Sequence, residues 1–291
     1  MALSGLFVQV LNGLQYGLLL FLISSGLTLV FGVMGIINLA HGSLFMLGAY
    51  LCFAVVRAGA SLWVALAASV LGGAAFGALL ERLLFRRFRA RHHLDQVLLT
   101  FALILLFEEA RAALIDNQFH SVAVPEALDF PVPVLGGFAY SAYRLAVLAI
   151  CLLVALAMFV VLERTRIGAT VRAAAENAEM VDLLGIDARL VYSFVFAAGT
   201  ALAMLAGALA APIQSVYPGM GQGFLIVSFV VVVIGGLGSM AGAFWGALLV
   251  GLIDTLCTAY VPQVAGASLY LLMAAVLLWR PSGLFARSGA A

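Results

Sequence analysis

Apolar residues come in long runs along this chain, and polar residues fall between the runs. Stretches at 7–31, 38–56, 61–84, 94–115, 143–162, 190–211 and 266–279 approach or exceed the roughly 20 residues an α-helix needs to cross a bilayer. A further apolar region, 222–258, is interrupted at Gly235, Gly236 and Gly238, which predicts two short spans or a re-entrant hairpin. No ten-residue strand-type alternation of the outer-membrane barrel kind occurs. The pattern predicts an all-α integral membrane protein with about eight to nine membrane segments, one of them Gly-broken or re-entrant. Residues 1–291 read as a single membrane domain. The first run, "MALSGLFVQVLNGLQYGLLLFLISSGLTLVFG", has no basic residue ahead of it and so predicts a first span, not a cleaved signal segment.

Composition strengthens this reading and removes several functions. The chain is 65% hydrophobic and 9% charged, whereas soluble domains carry about 25% charged residues. All 14 basic residues are arginine. Without lysine there is no Walker A loop to hold phosphates and no Schiff-base nucleophile, so any ATP must be hydrolysed on another chain. Cys52, Cys151 and Cys257 lie in or at the ends of apolar runs, without metal-site spacing, and read as packing residues. No HExxH motif or GxSxG elbow supports an intramembrane hydrolase, and no cofactor is expected.

Arginine placement orients the spans. Residues 81–93 carry Arg82, Arg86, Arg87, Arg89 and Arg91; residues 163–189 carry Arg164, Arg166, Arg172 and Arg189; the tail adds Arg280 and Arg287. These segments are expected in the cytoplasm. The loop 116–143 and "PIQSVYPGMGQG" are expected outside, with the N-terminus outside as well. A cytoplasmic C-terminus then requires 222–258 to cross twice. Gly13/Gly17, Gly73/Gly77, Gly242/Gly246 and Gly199–Ala203–Gly207 form small-residue rows that let helices approach closely in lipid.

The polar stretch 168–189, "GATVRAAAENAEMVDLLGIDAR", is too hydrophilic to span yet has helical spacing. Val171, Ala174, Ala178, Val181 and Gly185 recur every three or four residues. Arg172 and Glu176 are spaced for an i,i+4 pair. Gly185 suits a left-handed helix end, and Asp187 suits the cap of the next helix. A thin, small-residue face fits a groove in another protein better than a lipid surface.

Two stretches, "GLTLVFGVMGIINLAHGSLFMLGAY" and "RAAAENAEMVDLLGIDARLVYSFVFAAGTALAMLAGALAAP", resemble the LivH-type permease subunits of branched-chain amino acid ABC importers. The match continues through "PGMGQGFLIVSFVVVVIGGLGSMAGAFWGALLVGLIDT" and covers essentially the whole chain. The resemblance implies a non-enzymatic permease of the bacterial inner membrane that translocates a hydrophobic amino acid. It implies a second, paralogous permease subunit, cytoplasmic ATP-binding subunits and a periplasmic substrate-binding protein as partners, with lipid around the chain and no nucleic acid. It places an ATPase-coupling loop at 164–189, with Ala174, Ala175, Glu176 and Gly185 on the family's coupling motif and Arg172 and Glu179 beside them. Here "AAA" precedes Glu176 where the wider importer class has E-A-A.

Asn38 and His41, with Gly42, stand out as polar or breaking residues in an apolar run. Either Asn38 caps the second span and His41 faces interfacial water, or they line the inner end of a translocation pathway together with Gly235, Gly236 and Gly238. Gly32, Gly35 and Gly48 share their spacing with Gly235, Gly238 and Gly251, a candidate internal repeat. Glu108 and Arg111 are spaced for an ion pair, Asp254 is expected near the outer interface, and "HHLD" at 92–95 reads as a solvated loop. A urea or short-chain amide permease, or an ion-coupled secondary carrier, remains open at this level; the second would want mid-membrane carboxylates and no docking helix.

Overall fold

A computed structural model describes residues 2–89, 91–134 and 139–285; Arg287 of the basic tail lies outside them. The first helix, α1 (Ala2–Met34), is 33 residues long, about 50 Å at 1.5 Å per residue. It is followed by α2 (His41–Arg57), α3 (Leu62–Leu80), a π turn at Glu81–Phe85 and the short α4 (Arg86–Phe88), then α5 (His93–Leu114). Next come a two-stranded antiparallel hairpin, β1 (Pro131–Pro133) and β2 (Ala139–Ser141), and α6 (Ala142–Arg164). Two short helices, α7 (Arg166–Glu176) and α8 (Ala178–Leu183), precede α9 (Ala188–Ala210), α10 (Met220–Gly235), α11 (Met240–Tyr260) and α12 (Pro262–Trp279). Six of the helices are long and apolar enough to cross a membrane, by length and composition: α1, α3 continued through α4, α6, α9, α11 and α12.

The core is built around α1 and α9. Leu18 to Ile23 are all buried, and so is nearly all of α9 from Ala203 to Ala210. Small residues bring the helices together as the glycine rows predict. A Cβ on Gly207 would overlap the Phe45 carbonyl of α2, and one on Gly77 would sit 2.6 Å from Thr200 Oγ1 of α9. Gly13 and Gly17 face Leu252 and Ala247 of α11. The outward faces of α6 and α12 carry Leu152, Leu153, Leu156, Phe159, Leu271 and Leu278 exposed, as surfaces in contact with lipid tails require.

The region 222–258 is two helices, not one broken segment. Gly236 and Gly238 adopt φ of 101° and 77°, values that L side chains rarely take, and the chain reverses there. Gly235 then packs backbone to backbone on Gly242, and Gly246 lies against Val231. Gly35, at the end of α1, also has positive φ (67°), and Gly32 faces Gly238 across the two breaks.

Among the described residues one carboxylate is wholly buried. Glu81, on the π turn, is 0% exposed and accepts from Arg89 Nη2 at 2.8 Å and from Arg86 Nη2 at 3.4 Å. The Ser193 hydroxyl of α9 also donates to it, and the Arg89 guanidinium lies 3.7 Å from the Tyr192 ring centroid. This network pins the arginine-rich segment after α3 to the first turns of α9. Glu108 and Arg111 pair at 3.4 Å as expected, and Arg111 Nη1 also donates to Asn117 Oδ1 at 2.9 Å. The "HHLD" stretch is not a loop: His93 to Asp95 form the first turn of α5, where a carboxylate favourably meets the helix dipole.

Candidate functional site

The polar stretch 164–189 folds as a capped helix pair. Thr165 Oγ1 accepts from Gly168 N at 3.2 Å to start α7. Asn177, extended at φ −156°, ends α7 and caps α8, accepting from Met180 N at 2.9 Å. Gly185, at φ 84°, closes α8: its N–H donates to the Asp182 carbonyl and Ile186 N–H to the Val181 carbonyl, the paired bonds of a Schellman end. Asp187 Oδ1 then accepts from Arg189 N at 2.8 Å to cap α9. Gly185 and Asp187 act as the sequence predicts; the Thr165 cap at the start of the segment was not foreseen.

Its interior differs in two respects. Asn177 splits the expected single helix, because its side chain satisfies a new helix start better than it continues the old one. The small-residue face turns inward: Val171, Ala174 and Val181 are buried on Leu29 and Val33 of α1, Leu162 of α6, and Val191 and Val195 of α9. The surface left to solvent is formed by Ala175, Glu176, Glu179, Met180, Leu183 and Leu184, with Leu183 77% and Leu184 73% exposed. The expected Arg172–Glu176 pair is not formed. Arg172 Nη1 instead lies 3.8 Å from Glu163 Oε2 of α6.

At the start of α2, Asn38 and His41 are both 1% exposed. Asn38 Oδ1 accepts from Ala40 N at 3.1 Å, an Asx turn leading into the helix; the cap position itself is Ala40. His41 does not face interfacial water. Its Nε2 lies 2.9 Å from the Ile23 carbonyl of α1, and since a carbonyl only accepts, Nε2 carries the proton. Gly42 packs backbone to backbone on Gly221 of α10. The trio therefore fastens α2 to α1 and α10.

Two polar cavities flank the buried middle of α1. The first, about 390 Å³, lies where α1 begins and α11 ends, and includes Asn12, Gln15, Arg144, Phe224, Asp254 and Thr258 in its wall. The second, about 680 Å³, lies where α1 ends and α11 begins. Gly238 lines it, with Arg172, Ala175 and Glu176 of α7 and Glu163 of α6. Of the other sequence-predicted residues, Asn38, His41, Gly42, Gly235 and Gly236 line neither cavity, and Ala174, Glu179 and Gly185 lie on the loop unit outside both. Between the cavities α1 carries Ser24, and one turn on, at the edge of the second cavity, Thr28; their buried hydroxyls have no partner among the described residues.

Sequence reading missed the first cavity. Its signal was present: Gln9, Asn12 and Gln15 fall three residues apart on one face of an otherwise apolar first span, and Asp254 and Thr258 fall one turn apart near the end of α11. Asn12 Oδ1 accepts from both Tyr140 and Arg144 at 3.1 Å, which ties α1 to the hairpin and to α6. Burial raises the pKa of the Tyr140 phenol against the opposing charge of Arg144, so it stays a donor. Among the described residues no group of three His, Cys, Asp or Glu could hold a metal ion.

The family described as "Branched-chain amino acid transport system / permease component" matches residues 9–279. The chain is 30% identical to the high-affinity branched-chain amino acid transport system permease protein BraD of Pseudomonas aeruginosa, over 96% of this chain and 95% of that protein. It is 29% identical to the corresponding protein LivH of Escherichia coli, with the same coverage. It is 26% identical to a probable LivH permease of Methanocaldococcus jannaschii, over 92% and 89% of the two chains. No solved structure matches.

Proposed function

Because the chain belongs to the permease components of branched-chain amino acid transport systems, we propose how its parts divide the work of import. It is the membrane-spanning permease of an ABC importer for branched-chain amino acids, a multi-pass protein of the bacterial inner membrane, and not an enzyme. Residues 1–291 act as one membrane domain. Nine segments cross: α1, α2, α3 with α4, α5, α6, α9, α10, α11 and α12. That count puts Arg82 to Arg91, Arg164 to Arg189 and Arg280 on one side, the cytoplasm, and accounts for the antiparallel packing of α10 on α11.

The cavity where α1 begins then opens outward, toward a periplasmic binding protein, and the cavity where α1 ends opens inward. A second, paralogous permease completes the membrane pair, and ATP is hydrolysed by cytoplasmic subunits because this chain has no lysine for a phosphate loop. Residues 164–189 form the coupling unit. Met180, Leu183, Leu184, Glu176 and Glu179 meet the ATPase, while Val171, Ala174 and Val181 anchor the unit to α1, α6 and α9. Gly185 sets the turn by which the unit passes into α9. Arg172, Ala175 and Glu176 link that grip to transport, since the same three residues wall the inner cavity. Movement of α7 under the ATPase opens or closes the inward route, which is the differential contact that coupling requires.

The observation that supports this reading is the exposed apolar pair Leu183–Leu184 at the end of α8, in a unit whose opposite face is seated through Val171, Ala174 and Val181. The test is association with the ATPase subunits. Leu183→Asp with Leu184→Asp abolishes co-purification while the permease keeps its melting temperature, and Leu184→Cys crosslinks to the ATPase. Undiminished association of the double variant would overturn the docking assignment.

A further inference from the structure

We infer that the outer cavity is a substrate site on the permease itself, built to hold a zwitterion by its two charged ends. The inference rests on the amino acid reading above and adds to it a place and a set of contacts. The cavity holds charges of both signs that do not neutralise each other. Asp254, half-buried in α11, makes no ion pair among the described residues, and neither does Arg144, whose Nη1 is turned to Asn12 Oδ1 at 3.1 Å. Both line the same cavity yet are too far apart to form a salt bridge of their own. Both are partly exposed and border the same cavity, so each is left available to an opposite charge that enters it.

A third polar group makes the same point independently. Gln15 is 4% exposed, borders the cavity, and its amide makes no hydrogen bond among the described residues. The amide is not fully enclosed by protein but faces the cavity, where a ligand can reach it. The volume, about 390 Å³, falls within the range typical of small-molecule sites.

The chemistry selects the ligand class. A free α-amino acid carries an ammonium and a carboxylate on adjacent carbons. Asp254, with Thr258 one turn away on the same helix face, takes the ammonium, and Arg144 takes the carboxylate through its planar fork. Gln15 completes the polar set. Leu19, Ile213 and Phe224, which also line the cavity, provide the wall for an aliphatic side chain. A neutral amide such as urea would leave both charges without partners, so the site discriminates against it through desolvation.

The experiment uses the complete importer in nanodiscs, without its binding protein, and measures radiolabelled leucine binding in competition with leucinol and with 4-methylpentanoate. The first competitor lacks the carboxylate, the second the ammonium. In the unmodified complex both compete at least about tenfold less well than leucine, because each loses a charged contact. Asp254→Asn weakens leucine binding about tenfold or more and narrows its advantage over 4-methylpentanoate. Arg144→Gln narrows the advantage over leucinol instead. Equal competition by leucine and both analogues on the unmodified complex overturns the proposal, and that measurement does not depend on any variant folding. So does leucine binding with unchanged preference in both variants; leucine uptake by the full importer would in that case leave the amino acid function standing. A full importer that takes up urea and no amino acid overturns the site and the function together.

Discussion

Arg89 Nη2 meets Glu81 Oε1 at 2.8 Å, with the carboxylate fully shut off from water. Through the Ser193 hydroxyl on Glu81 and the Tyr192 ring under Arg89, this pair joins the segment after α3 to the start of α9, which directly follows residues 164–189. Removing one partner of a buried pair leaves the other charge uncompensated, at a cost of about 3–5 kcal/mol. Because Arg86 and Arg89 are partly exposed, Glu81→Ala is expected at the lower end of that range, about 3 kcal/mol. Glu81→Gln, which keeps the hydrogen bond from Ser193, is expected to lose less. Thermal melting of the purified permease in detergent checks both, and a Glu81→Ala protein as stable as the parent would show that the network holds nothing together.

The glycine contacts give a second expectation. Gly207 lies so close to the Phe45 carbonyl that a Cβ would overlap it, whereas Gly223 faces open space. Gly207→Ala must push α2 and α9 apart and is expected to destabilise by about 1–3 kcal/mol. Gly223→Ala, inside the exposed first turns of α10, is expected to be neutral or to stabilise by up to about 1 kcal/mol. Parallel melting curves distinguish the two sites.

His41 holds the Ile23 carbonyl and fills the space beside Gly26. If its work is to fasten α2 to α1, His41→Gln, which retains a donor of similar reach, keeps the KM for leucine uptake within about twofold. His41→Ala, which opens a cavity, is expected to lower the melting temperature, at a cost of about 2 kcal/mol. A large rise in KM for His41→Gln, with stability intact, would move His41 into the substrate route.

Gly185 has φ 84° and ends α8. Gly185→Ala is expected to cost about 1 kcal/mol and to leave ATPase association measurable. Gly185→Pro, which also removes the N–H that donates to the Asp182 carbonyl, is expected to disconnect the unit from α9 and abolish co-purification. Titration of each variant with tagged ATPase reads the difference.

Most of the fold was legible because a membrane chain writes its elements in one variable, the length of its apolar runs. Seven of the helix positions follow from that alone, and the glycines at 235–238 marked the break in 222–258 without deciding between two spans and a hairpin. The caps at Gly185 and Asp187 were legible because each rests on one residue's local chemistry. What was not legible depended on partners remote in sequence. Glu81 carries no local signal of its burial, which appears only when Ser193 and Tyr192 arrive from α9. His41 reads as interfacial or pathway-lining until the Ile23 carbonyl is seen beside it. The small-residue face of 168–189 was read as the docking face, because spacing alone reveals a stripe without saying which neighbour covers it; the core of the permease covers it, and Leu183 and Leu184 are left outside. The outer cavity escaped notice because Asp254 and Arg144 lie 110 positions apart and each taken singly looks like a charge at the end of a span.

This chain is expected to move substrate only when separate ATP-hydrolysing subunits drive it through residues 164–189. The most direct measurement is leucine uptake into proteoliposomes, carried out with the full importer and its binding protein and, in parallel, with this chain and its paralogous permease alone. Uphill accumulation that requires both the ATPase subunits and ATP, and that is indifferent to a proton or sodium gradient, is the predicted result. Accumulation by the permeases alone under an ion gradient would contradict it.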